Sequence, residues 1–219
     1  MSKAREQIFQ HLQRMNRQPA RDNHPASLIE KRLAAFDRSL LPVLTEEVKE
    51  RFISKLTAAS ATVSAITDMV QLPAAVSEYL SSSQLQRKLV VGSASELKQL
   101  VWPDDVAIEH RAAMASDVTA LSMAYAGIAE TGSLVLCSGQ DTPTTLNFLP
   151  DNYICVLRGA DIYPYMEDIW ALLRKERNGL PRALNFITGP SRTADVEQTI
   201  QLGAHGPRRM HVILIDTAQ

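Results

Sequence analysis

Thiols are scarce in this chain. Its 219 residues include two cysteines, Cys137 and Cys155, too far apart for a CxxC element. An iron–sulfur cubane takes four thiolates and a structural zinc takes four Cys or His ligands, so no cluster can be held by this chain's thiols alone. Both cysteines fall in apolar, strand-like stretches, which predicts buried, reduced thiols. His11, His24, His110 and His211 have no metal-ligand spacing and no HExxH occurs, so a mononuclear metal enzyme is not expected. Apolar runs are short and broken, well under the ~20 residues of a membrane span. The N-terminal Met1-Ser2-Lys3-Ala4-Arg5 lacks the apolar core of a secretory signal, which makes cytoplasm the expected location. Charge of one sign is missing too: 23 basic against 24 acidic residues leave a net charge of -1. An affinity for nucleic acid or anionic membrane resting on bulk charge is therefore not expected; a local basic pocket is compatible with this balance.

What is present is an ordinary globular composition, 45 % hydrophobic and 21 % charged, which argues against wholesale disorder or a fibrous repeat. A chain this long buries roughly 70 % of its unfolded surface, enough for one good-sized domain with a small appendage. Residues 1–58 read as a helical arm. Ile8, Phe9, Leu12 and Met15 form one stripe; Asn16 to Pro25 is a polar, proline-interrupted linker. Val48, Phe52, Ile53 and Leu56 form a second stripe, with Thr45 as the expected N-cap. From residue 59 to 219 strands alternate with helices. Strands are expected at Ala61–Ile66, Lys88–Gly92, Val118–Tyr125, Leu134–Cys137, Tyr153–Leu157, Ala183–Ile187 and Met210–Ile215. Helices are expected after Pro73, after a Ser95 cap and from Asp161 to about Arg177. Such alternation predicts an α/β fold with a mostly parallel sheet covered on both faces.

Chemistry-bearing residues concentrate in the last 95 positions. Glu130 is a lone acid in the small-residue turn Ala129-Glu130-Thr131-Gly132-Ser133, where a carboxylate can act as base, nucleophile or ligand anchor; a turn acid that satisfies backbone N–H groups explains it equally. Thr188-Gly189-Pro190-Ser191-Arg192-Thr193-Ala194-Asp195 follows a strand and reads as a loop entering a helix. Exposed N–H groups at that helix start, together with the Arg192 fork, would suit a carboxylate or phosphate; a capped helix with Ser191 or Thr193 as N-cap is the plain alternative. The loop lacks the P-loop lysine and is not GxGxxG. His205-Gly206-Pro207-Arg208-Arg209 is a turn whose cations would complete an anion pocket, or a solvated surface turn. Asn147, in Asn147-Phe148-Leu149-Pro150, is a further polar contact candidate. Because ligands gather at the carboxyl ends of parallel strands, the Thr188 loop and Glu130 are expected at one sheet edge. The His205 turn precedes its strand and belongs at the other edge unless that strand runs antiparallel.

Ala129–Leu134, Asn147–Pro150, Thr188–Glu197 and His205–Arg208 occur in that order at family-like spacing, and over residues 60 to 215 the chain resembles the LUD domain of the lactate-utilisation protein C family (LutC, also called YkgG). The resemblance implies a three-layer α/β/α fold of the NagB/RpiA/CoA-transferase-like type with an N-terminal helical arm. It implies a part in oxidising L-lactate to pyruvate alongside two partner proteins, one cysteine-rich and one carrying iron–sulfur clusters. It carries no established active site, so Glu130 as a catalytic group, and Thr131, Gly132, Asn147, Thr188, Gly189, Ser191, Arg192, Thr193, His205, Gly206 and Arg208 as anion or ligand contacts, rest on chemistry alone. Lactate oxidation releases two electrons; with no dinucleotide fingerprint and no cluster ligands here, the redox centres are expected on the partners, with no cofactor or metal on this chain. Three readings stand: a non-redox subunit that binds a small anionic metabolite or positions its partners, a free-standing enzyme like the sugar-phosphate isomerases or CoA transferases using Glu130, and a scaffold without a ligand.

Overall fold

The computed structural model describes residues 7–9, 11, 28–29, 31, 41–176, 180–194, 200–202 and 205–216. The chain divides into two compact units, Met1–Val43 and Leu44–Gln219. In the first, residues 7–9 and 11, and again 28–29 and 31, are helical, with Ile8, Phe9, Leu28 and Ile29 exposed. Leu12, Met15 and the expected linker lie outside the described residues. The boundary at 43/44 differs from the one expected at 58/59, and the reason is the second apolar stripe. It forms helix α1 (Val48–Ala58), whose Phe52 and Leu56 are fully buried in the core of the larger unit. The cap also differs: the Glu47 carboxylate, not Thr45, accepts the Lys49 and Glu50 N–H groups at 2.9 and 3.1 Å. A carboxylate at this position also complements the positive end of the helix dipole.

Six parallel strands form the main sheet: β1 (Thr62–Ile66), β2 (Lys88–Val91), β3 (Ala107–His110), β4 (Thr119–Met123), β7 (Asn152–Arg158) and β12 (Arg209–Ile215), in the order β1-β12-β7-β4-β2-β3. Helix α2 (Leu72–Ser82) follows β1, with Pro73 in its first turn, where a missing N–H costs nothing. Its Leu72, Val76 and Leu80, spaced four apart, cover the face that carries Ile154, Val156 and Ile213. Burying each such side chain stabilises by roughly 1.5–3 kcal/mol. The short helix α3 (Ser95–Lys98) lies on the same face through Leu97, but its N-cap position is Ala94, without a side-chain cap from Ser95.

The α/β class with a mostly parallel sheet and flanking helices is what the alternation of elements predicted. An added layer covers the other face of the sheet. Strands β5 (Ala126–Ile128), β6 (Ser133–Cys137), β8 (Ile162–Tyr163) and β9 (Leu184–Ile187) form a second sheet in the order β8-β5-β6-β9. Alternate residues of β6 serve two cores. Leu134 and Leu136 pack with Tyr153, Cys155 and Leu157 of the main sheet, whereas Val135 and Cys137 face helix α5 (Met166–Glu176) through Ile169 and Leu173. Helix α4 (Thr145–Phe148) packs on β4. Strand β3, and a hairpin of β10 (Arg192–Ala194) with β11 (Ile200–Leu202), have no counterpart among the expected elements.

Candidate functional site

Three of the four sequence motifs converge at the amino-terminal edge of the main sheet. Strands β5 and β6 form an antiparallel hairpin in which Ile128 pairs with Ser133, and the Gly132 N–H closes the turn on the Ile128 carbonyl at 2.9 Å. Glu130 sits at the tip of this hairpin, half-buried, rather than beyond a parallel strand. Its N–H donates to the Pro164 carbonyl at 3.0 Å, and its carboxylate makes no hydrogen bond or ion pair with the described residues. The buried Ser133 hydroxyl lies 2.6 Å from the Thr131 hydroxyl and is also hydrogen-bonded to Thr188, which follows β9. The hydroxyls of Thr131 and Thr188, from segments far apart in the chain, are thus linked through Ser133, while both residues remain exposed.

Glycine is required at two points here. Gly132 (φ +70°) and Gly189 (φ +77°) adopt left-handed backbone conformations. A Cβ on Gly132 would stand 2.5 Å from the Leu56 backbone nitrogen, and one on Gly189 would overlap the Ala59 carbonyl oxygen. Both turns seat the last turn of α1. These glycines, expected as ligand contacts, are instead placed where they hold a helix.

The Thr188 loop then meets the His205 turn. Ser191 N–H donates to the Pro207 carbonyl at 2.8 Å, and Gly206 backs onto Ser191, a Cβ on it lying 3.3 Å from that of Ser191. The turn is tied to the start of β7 by the Arg208 and Arg209 N–H groups, which donate to the Asp151 carbonyl at 2.8 and 3.0 Å. Because β12 runs parallel to β7, this is the amino edge of the main sheet, opposite the edge expected for the Thr188 loop. The loop reaches it because β9 belongs to the second sheet, where β6 and β9 are antiparallel.

The expected helix start after Ser191 is not there. Arg192–Ala194 is strand β10, pairing Arg192 with Leu202, Thr193 with Gln201 and Ala194 with Ile200; Asp195 lies outside the described residues. The Ser191 N–H is already given to Pro207, and among the described residues no helix starts here to supply positive potential. What the cluster offers an anion is the exposed Arg192 and His205, and Arg208, whose Nε is 3.6 Å from the Asp151 carboxylate. Asn147 does not join them. It is buried on α4, its amide oxygen accepting from Ser122 at 3.4 Å, and Ser122 in turn meets the Tyr153 phenol at 2.7 Å.

His211, which has no metal-ligand spacing, is engaged through both ring nitrogens. It is buried on β12, its Nδ1 2.8 Å from the Thr62 hydroxyl and its Nε2 3.0 Å from the Ser64 hydroxyl, and its ring stacks on Tyr79 at 4.0 Å. Burial pushes its pKa down to about 4. Its place at alternate positions with Met210 and Val212 in an apolar strand was the available signal. On the far side of the sheet, Arg111 grips Asp117 through two bonds of 2.6 and 2.8 Å and holds that carboxyl down to about 2. Cys137 and Cys155 are both buried, and burial pushes the Cys155 thiol up to about 12. Among the described residues no group of three or more His, Cys, Asp or Glu side chains is placed to hold a metal ion, and no helix is long and apolar enough to cross a membrane.

A six-strand parallel sheet, backed by a second sheet whose turns grip an N-terminal helix, defines a compact α/β domain. The LUD domain model matches residues 49–215, and the chain belongs to that family. It is 34 % identical over 127 residues to lactate utilization protein C of Geobacillus sp. (strain WCH70), covering 52 % of this chain and 53 % of that one. It is 36 % identical over 91 residues to lactate utilization protein C of Bacillus subtilis (strain 168), covering 40 % and 38 %. The matched segments thus span about two-fifths to half of these relatives' lengths. A DUF162 family protein of Deinococcus radiodurans shares the fold, with a TM-score of 0.57 at 20 % identity over 79 % of this chain and 99 % of that one.

Proposed function

We propose that the chain serves L-lactate utilisation in the cytoplasm as a non-redox subunit, working with one cysteine-rich and one iron–sulfur partner and binding a small anionic metabolite at the amino edge of its main sheet. The observation that carries the reading is the LUD match across most of the larger unit, joined to relatives named lactate utilization protein C. The donor set supports placing the clusters on partners. Two buried cysteines, one with its thiol held protonated, do not fit a cluster that needs four thiolates.

Deleting the gene in a strain without another lactate dehydrogenase is expected to abolish growth on L-lactate and leave growth on pyruvate unchanged. Equal growth of the deletion strain on both carbon sources would overturn the assignment.

For the anion site, the exposed Arg192, which follows the Thr188 loop, is the contact expected to matter most. Arg192→Ala is expected to weaken L-lactate or pyruvate binding by about 1.5–3 kcal/mol, roughly 10- to 150-fold by calorimetry, the loss of one charge-assisted hydrogen bond. Stability should stay within about 0.5 kcal/mol, since the side chain is exposed. Unchanged affinity would remove Arg192 from the site.

A further inference from the structure

Strand β1 ends the main sheet, and nothing described pairs with its outer edge. The Asp216 N–H donates to the Ile66 carbonyl at 2.8 Å, so the backbone of Ile66 faces β12. Alternation along the strand then turns the N–H and C=O groups of Val63 and Ala65 outward. Neither residue makes a backbone hydrogen bond to a turn, loop or cap among the described residues. Exposed edges are normally blunted by charge, proline or a bulge. Thr62-Val63-Ser64-Ala65-Ile66 has no charge and no proline and stays in register with β12 throughout.

Beside this edge lies a groove of about 480 Å³ between β1 and α2. Ser64 and Ala65 form one wall, with His211 and Tyr79 at its base; Ala74, Ala75, Glu78 and Ser82 of α2 form the other. Five strand residues and eleven helix residues each span about 16 Å, so the walls match in length and leave room for an extended segment of about five residues. Small side chains on the helix wall make the space. The one charged group lining it is the Glu78 carboxylate, which is exposed and makes no ion pair with the described residues.

We propose that this groove takes an extended peptide segment of another protein, added as a seventh strand on Val63 and Ala65, with small or β-branched residues at alternate positions and a lysine or arginine opposite Glu78. Main-chain bonds to a free edge supply affinity in such additions, and alternate side chains in the groove supply selectivity. The cation is the part that favours a foreign segment over a second copy of β1, which has no charge to offer.

The test is selection from a displayed library of random nonapeptides against the full chain. Enriched sequences are expected to alternate apolar residues around one Lys or Arg, and to protect the Val63 and Ala65 amides from hydrogen exchange. Ala65→Pro, which removes an outward N–H and leaves the β12 ladder intact, is expected to weaken them at least about tenfold. Glu78→Lys, on an exposed helix position that leaves folding untouched, is expected to weaken them about threefold or more. Failure to enrich such sequences, or equal binding to wild type and Ala65→Pro, overturns the proposal. So does a wild-type dimer that Ala65→Pro converts to monomer, which would give the edge to a second copy. Val63 and Ala65 amides already protected in the free monomer would also overturn it, by giving the edge to the chain's own N-terminal unit.

Discussion

Gly189→Ala is expected to destabilise the protein by about 3–5 kcal/mol, enough to leave a marginally stable domain largely unfolded at physiological temperature. Two costs add. A residue with a Cβ held at φ +77° pays about 1–2 kcal/mol for the left-handed conformation. The new methyl group also overlaps the Ala59 carbonyl oxygen and crowds the Ala59 side chain, both of which close the end of α1. Backbone cannot rotate away as a flexible side chain can, so relief requires lifting α1, which uncovers Phe52 and Leu56. Gly132→Ala meets the same helix one turn earlier, at Leu56 and Lys55, and should cost a similar amount. Since both substitutions are relieved by the same displacement, the double variant should lose clearly less than the sum of the two. Urea unfolding of the three variants measures this. A loss below about 1 kcal/mol for either single variant would mean that α1 is not seated on these turns.

The second large effect is a loss of stability in mild acid carried by His211. In the unfolded chain this imidazole takes its proton near 6.5; in the fold, burial delays that to about 4. Between those values the unfolded state binds more protons, so stability rises with pH. The contribution is therefore fully present above pH 6.5 and is lost as pH falls toward 4. At about 1.4 kcal/mol per pH unit, the loss over that window is about 3 kcal/mol. His211→Gln keeps an amide near the Thr62 and Ser64 hydroxyls but cannot titrate. It should be less stable than wild type at pH 7, having lost the stack on Tyr79, and markedly less sensitive to pH between 6.5 and 4. Urea midpoints at pH 7, 5.5 and 4 distinguish the two. Parallel pH curves for variant and wild type would place the acid sensitivity elsewhere.

Much of the scaffold is legible in the residues because its strands are short, apolar and punctuated. Lys88–Val91, Asn152–Arg158 and Arg209–Ile215 all sit where continuous apolar runs predict buried parallel strands. Ala107–His110 is not legible, since an edge strand holding Glu109 and His110 need not be apolar on both sides. The cap of α1 fails for a different reason: Thr45 has the better intrinsic preference, but Glu47 is the residue at the position where the chain turns helical. At the candidate site the motifs were visible and their geometry was not. Nothing local in Thr188–Asp195 announces that Ser191 will give its N–H to Pro207 or that Arg192–Ala194 will pair with Ile200–Leu202 as a strand. The meeting of Thr131 with Thr188 likewise depends on the pairing of β6 with β9, a long-range choice that no spacing encodes.

The seat of α1 also sets the order in which the protein can be finished. The helix is synthesised early, but its two supporting glycines come at 132 and 189, and among the described residues β1 pairs only with β12, at the far end of the unit. At ~5–20 residues per second, the roughly 130 residues between Ala58 and Gly189 take on the order of ten seconds to emerge. Throughout that interval the pocket for Phe52 and Leu56 is incomplete, and the uncharged β1 segment has no strand to join. The first part of this unit to leave the ribosome is thus the last to dock, and the nascent chain carries an unshielded apolar helix and strand for most of its synthesis. Chaperone capture of this protein should accordingly be strongest on chains arrested before residue 189 and should fall once β12 has emerged.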